Sequence, residues 1–127
     1  MSTPKVLVVW FALLIALGGG AGCQRQKQEP IRVGVIHSLS GTMALTEAPL
    51  VNAIRLAVEE INAQGGLLGR QLDLVLADSR SDSAVAAAEA ERLISDEGVS
   101  VLFACWTSAC RQAVKPVVER HRHLLFY

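Results

Sequence analysis

No excess charge of either sign is present: 12 Lys and Arg stand against 12 Asp and Glu in 127 residues. That balance provides no electrostatic footprint for nucleic acid. The one basic concentration, Arg111, Lys115, Arg120 and Arg122 with His121 and His123, is interleaved with Val117 and Val118 at helical spacing and reads as a solvated helix face. A glycine-rich phosphate loop is also missing. Gly18-Gly19-Gly20 lies in an apolar leader, and Gly65-Gly66 opens a strand where a phosphate loop would open a helix. Aromatic residues make up only 5% of the chain, and no internal repeat is present.

Groups for covalent or metal chemistry are equally thin. A thiol catalyst at Cys105 or Cys110 needs a histidine base, and sequence spacing does not bring His121 or His123 to either. A zinc set from the same cysteines and histidines misses the usual spacing, with four residues between the Cys and one between the His. His37, directly after an apolar run, reads as structural. No catalytic residue, metal or cofactor is therefore expected. Cys105 and Cys110 are either joined, which an oxidising compartment favours, or remain two buried thiols, because a five-residue separation from loop to helix start leaves the Cα approach open.

What is present begins with a leader. Met1–Gly22 has one positive charge at Lys5, an apolar stretch from Val6 to Leu17 and a small-residue run before Cys23. The apolar stretch falls short of the ~20 residues a bilayer crossing needs, so it reads as a lipoprotein-type signal peptide with Cys23 as the lipidation site. Position 20 is Gly where such cleavage boxes usually carry Leu. Residues 23–30 read as a polar tether, and residues 31–127 as part of a ligand-binding lobe whose apolar last residues look like a strand cut short.

Within 31–127 strands and helices alternate. Ile31–Ile36, Leu72–Ala77, Val99–Phe103 and Leu124–Tyr127 are apolar runs of strand length. Ala48–Ala63, with Pro49 in its first turn, Ser83–Ser95 and Ala109–Arg120 have helical spacing, and Pro116 predicts a kink or early break in the last. The order β-α-β-α-β-α-β predicts an α/β fold with a parallel, doubly wound sheet and helices on both faces.

Ligands of open parallel sheets sit beyond the carboxyl ends of the strands, beside helix N-termini. That rule selects Ser38–Thr42, including Ser38 and Ser40, then Trp106-Thr107-Ser108, and Tyr127. The aromatics outside the leader, Phe103, Trp106, Phe126 and Tyr127, cluster at the ends of the last two strands. Trp106 reads as a site wall or as a core plug under a missing neighbour, and Ser108 as a ligand donor, a helix cap, or both. Hydroxyls beside flat aromatic faces suit a small, planar, neutral, hydrogen-bonding ligand such as urea or an amide.

The stretches Ile31–Ala44 and Ala57–Arg70 resemble type I periplasmic binding proteins of the branched-chain amino-acid receptor group. Ala104-Cys105-Trp106-Thr107-Ser108 and Leu124–Tyr127 look like the urea and short-chain amide branch, with Ala104 in place of the usual Gly and Cys110 where a serine is common. This resemblance implies a partial first lobe of a two-lobe receptor, with no chemistry done on the ligand. It implies that Trp106, Ser108 and Tyr127 line an amide pocket, and that the lipid-anchored protein hands its ligand to an ABC permease in the inner membrane. A branched-chain amino-acid receptor and an amide-sensing regulator are the alternatives. A one-walled fragment is expected to bind weakly or to aggregate.

Overall fold

In the computed structural model the described residues are 28–127. The leader Met1–Gly22 and Cys23 lie outside them, as does most of the tether. The elements run β1 (Ile31–His37), α1 (Ala44–Ala63), β2 (Leu72–Asp78), α2 (Ser83–Ser95), β3 (Val101–Ala104), α3 (Ser108–Arg120) and β4 (Leu125–Phe126). They form a parallel four-stranded sheet in the order β2-β1-β3-β4.

Side-chain alternation along the strands builds two unequal cores. Val33 and Val35 of β1, with Leu72, Leu74 and Leu76 of β2, pack against Val51 and Ile54 of α1. Ile36, Ala77, Leu102 and Ala104 face the opposite way and meet Ala86, Ala90 and Leu93 of α2 and Val114, Val117 and Val118 of α3. Right-handed crossovers impose this split: the chain steps one way from β1 to β2 and the other way to β3 and β4, so α1 lies alone on its face. At Gly34 any Cβ would lie 2.6 Å from Leu102 Cδ2 and 3.2 Å from Val99 Cγ2, so the larger core closes onto bare backbone.

Two local devices set the strand starts. Gly66 adopts φ +81°, and an added Cβ would fall 1.9 Å from the Arg70 carbonyl oxygen, which makes glycine obligatory in the turn after α1. Asn62 then clips β2 in place, donating from Nδ2 to Leu72 O at 2.9 Å and accepting from Leu72 N at 2.7 Å.

Strands β1 and β2 and the start of α3 differ from the sequence expectation by one residue each, and α1, β3 and β4 differ more. Helix α1 begins at Ala44, so Pro49 lies inside it; the carbonyl that Pro49 leaves without an intrahelical partner belongs to Leu45, whose side chain is 94% exposed, so water can serve there. Pro116 does not break α3, which continues to Arg120; the corresponding carbonyl belongs to the exposed Gln112. Strand β3 starts at Val101 and includes Ala104, and β4 is limited to Leu125–Phe126.

Candidate functional site

The carboxyl ends of β1, β2 and β3 meet at one edge of the sheet, where His37 pairs with Asp78 and Ile36 with Ala104. Just beyond this edge the polar groups are tightly committed to one another. Glu47, 4% exposed in the first turn of α1, accepts from His37 Nδ1 at 2.9 Å, from Ser38 N at 2.9 Å and from Ser38 Oγ at 3.0 Å. The Ser38 hydroxyl also lies 2.9 Å from that of Ser79. Ser38 is thus 2% exposed with its hydroxyl engaged, and it joins loops of the fold where the sequence placed it facing a crevice. His37 is 7% exposed, with Nδ1 committed to Glu47.

Asp78 performs a parallel task at the surface. Its Oδ1 accepts from Leu39 N at 2.8 Å, Ser40 N at 3.2 Å and Arg80 N at 2.8 Å, and its Oδ2 accepts from Ser40 Oγ at 2.6 Å. Burial pushes this carboxyl up, but the bonds from the Ser40 hydroxyl and from the Arg80, Leu39 and Ser40 amides outweigh it and hold it below the ordinary carboxylate value. Ser81 completes the seam, its Oγ accepting from Met43 N at 2.9 Å and donating to Ser40 O at 3.1 Å. Ser40 therefore shares its hydroxyl with Asp78 while remaining exposed.

The loop after β3 carries the aromatic side of the site. Cys105 is bonded to Cys110 across a Cα separation of 5.4 Å, which settles the open choice in favour of the disulfide. Thr107, not Ser108, caps α3: its side chain accepts from Cys110 N at 3.2 Å, because it is Thr107 that keeps the extended backbone a cap requires. Ser108 is the first helical residue, and its Oγ accepts from Arg111 Nη2 at 2.8 Å. The Ser108 and Ala109 amides have no protein acceptor among the described residues.

Trp106 is 54% exposed and Tyr127 77%, so neither side chain is buried by the described residues. Both border a groove of about 440 Å³ on the α1 face, together with Leu50, Ile54, Phe103 and Phe126. Phe103 and Phe126 stack there with ring centroids 5.3 Å apart. The Arg111 guanidinium sits 4.5 Å from the Tyr127 ring centroid, close to the two free amides of α3. A larger hollow of about 540 Å³ opens on the far side of Tyr127, between α3 and β4, lined by Arg111, Lys115, Glu119 and His123, and lies away from the loop after β1. The site is therefore taken as the aromatic groove.

Of the residues selected from sequence, Trp106 and Tyr127 line this groove, Thr107 and Ser108 lie at the helix start beside it, and Ser38 and Ser40 belong to the hydrogen-bonded seam. Among the described residues no group of three or more His, Cys, Asp or Glu is placed to hold a metal. Cys105 and Cys110 are tied to each other, while His121 contacts Glu91 and His123 contacts the Val99 carbonyl. Sequence reasoning missed Glu47 and Asp78. Asp78 directly follows a strand and Glu47 precedes the apolar helix pattern, positions where an acid can cap or pin a loop.

The model of the periplasmic binding protein domain matches residues 31–127. The chain belongs to that family. It is 38% identical over 89 residues to Leu/Ile/Val-binding protein homolog 7 of Brucella abortus, a match covering 70% of this chain and 22% of the relative. Homolog 8 of the same organism is 36% identical over the same length. The chain thus spans about a fifth of the curated relatives it matches. Among solved structures it resembles the branched-chain amino acid transporter substrate binding protein LivJ of Streptococcus pneumoniae in complex with isoleucine, with a TM-score of 0.74 and 30% identity. That match covers 76% of this chain and 28% of LivJ. The fold is the first lobe of a type I periplasmic binding protein, in part.

Proposed function

We propose that the protein is the ligand-capturing component of an ABC importer for a branched-chain amino acid, passing its ligand to a permease in the inner membrane. In this reading Met1–Gly22 directs export to the periplasm and Cys23 carries the lipid anchor. The observation that carries the ligand assignment is an apolar groove placed beside free helix amides. Leu50, Ile54, Phe103 and Phe126 offer an aliphatic side chain a dry contact surface, while the Ser108 and Ala109 amides, just beyond Trp106 in the chain, favour a ligand carboxylate oxygen. The names of the relatives at 38% and 36% identity, and the isoleucine complex of LivJ, support the same ligand class.

Urea or a short amide is the second reading, favoured by one observation: Trp106 and Tyr127, the residues that look like the amide branch, are the exposed aromatics of the groove. Calorimetric titration of leucine, isoleucine, urea and acetamide into the gene product carrying residues 1–127 separates the two. Leucine or isoleucine is expected to bind, and Trp106→Ala to weaken binding about tenfold or more, as loss of a central aromatic contact does. Binding of urea or acetamide alone transfers the protein to the amide branch, and no heat with any of the four overturns the receptor reading.

A further inference from the structure

One exposed wall of the groove, Trp106, is held by few ordinary contacts. Trp106 has no side-chain hydrogen bond among the described residues, and the backbone leading into it turns at Cys105 with φ +71°, in the left-handed region that a β-carbon disfavours. Few contacts hold that turn: Cys105 N donates to Ile36 O at 3.2 Å, Thr107 caps α3, and the Cys105–Cys110 bond closes the loop covalently. Trp106, Thr107 and Ser108 all lie inside the closed segment.

We propose that the Cys105–Cys110 disulfide is a redox-sensitive clamp that positions the Trp106 wall of the groove. A crosslink across so short a segment removes less unfolded-chain entropy than a long-range one, so its main effect is local geometry. Cys105 is 6% exposed and packed in the larger core, whereas Cys110 is half-buried on the first turn of α3, so an incoming thiolate reaches the Cys110 sulfur first. Attack there breaks the protein S–S bond, forms a mixed disulfide with Cys110 and releases Cys105 as the leaving thiolate, which takes up a proton. A second thiol of the same dithiol then displaces Cys110. The dithiol ends as a cyclic disulfide and the protein gains two thiols, two electrons and two protons having passed between them. Freed from its bond, Cys105 relaxes out of its left-handed turn and Trp106 loses its fixed place. The effect on ligand capture rests on the groove being the ligand site.

The test uses the full chain in a Trp10→Phe background, which leaves Trp106 as the sole tryptophan. Time-resolved fluorescence anisotropy is recorded before and after dithiothreitol, with thiol titration to count free cysteines and Cys110→Ser as the reductant-insensitive control. Reduction is expected to raise the amplitude of nanosecond depolarisation of Trp106 about twofold, to the level of the Cys110→Ser chain. Unchanged depolarisation with the Cys105 and Cys110 thiols both free overturns the clamp, as does finding those two free in the protein as isolated, with Cys23→Ser in the same background removing the third cysteine from the count. Isoleucine titration of the Cys110-containing protein in the two redox states is expected to weaken by roughly two- to tenfold on reduction, the cost of ordering one large side chain. Silence with isoleucine in both states overturns the branched-chain ligand reading alone, since the clamp is judged by depolarisation.

Discussion

A carboxylate removed from water has to be repaid by donors, and Glu47 is held by the His37 ring and by both the amide and the hydroxyl of Ser38. Removing such a partner costs more than the bonds themselves contribute, because the donors left behind stay buried and unpaired. Glu47→Ala is therefore expected to destabilise the fold by about 1–3 kcal/mol or more, the range for leaving buried donors unsatisfied. Chemical denaturation monitored by circular dichroism checks this. A loss below about 1 kcal/mol, the net worth of one ordinary hydrogen bond, would show that water or another group replaces the carboxylate. The same reasoning at Ser38 explains why a hydroxyl in a crevice-side loop is unavailable to a ligand: its partners, Glu47 and Ser79, come from two other segments, and neither pairing is visible in local sequence.

At the scale of elements, helix starts decide how the crevice is shaped. Helix α2 is capped within its own sequence: Asp82 accepts from Ala84 N at 2.7 Å and Val85 N at 3.2 Å. Asp82→Ala is expected to cost about 1 kcal/mol, in line with lost caps elsewhere. A matching fall in thermal midpoint, with Asp82→Asn close to the parent, would support the cap; equal losses in both variants would assign the effect to charge. Helix α1 has no side-chain cap, since Met43 makes none, and its start is fixed by Glu47 and by Ser81 across the loop. That contrast explains what was legible. Apolar runs and the polar loop at Asp78–Ser83 carry local signals, so the alternation of elements and the parallel sheet could be read directly. The start of α1 and the cap of α3 could not: Pro49 looks like a first-turn proline, and Thr107 and Ser108 are equally good caps until the backbone chooses. The aromatic groove was readable as a cluster at two strand ends, but not as a surface beside α1, which depends on the crossover geometry.

For the molecule as a whole, the joints between segments are charged, and they share a response to acid. Glu91 of α2 reaches α3, pairing with Arg120 and, at 2.7 Å, with His121 Nε2. The bond from Arg120, then that from His121, hold its carboxyl below the ordinary value against some desolvation. Asp78, also lowered, joins the loops after β1 and β2. A carboxyl that is a stronger acid in the fold than in the unfolded chain binds fewer protons when folded, so stability rises with pH through that interval. The contribution of these groups is present above the unfolded carboxylate value, near pH 4, and is lost as pH falls through their lower folded values. The thermal midpoint is therefore expected to drop below about pH 4, and the double variant Asp78→Asn, Glu91→Gln to drop less steeply over that interval from a lower starting point. Both groups are partly open to solvent, so salt should shrink the Glu91 part, which depends on ion pairs, more than the Asp78 part, which depends on amides and a hydroxyl. Parallel acid profiles for parent and double variant would assign the loss to other carboxylates, with buried Glu47 the first to replace next.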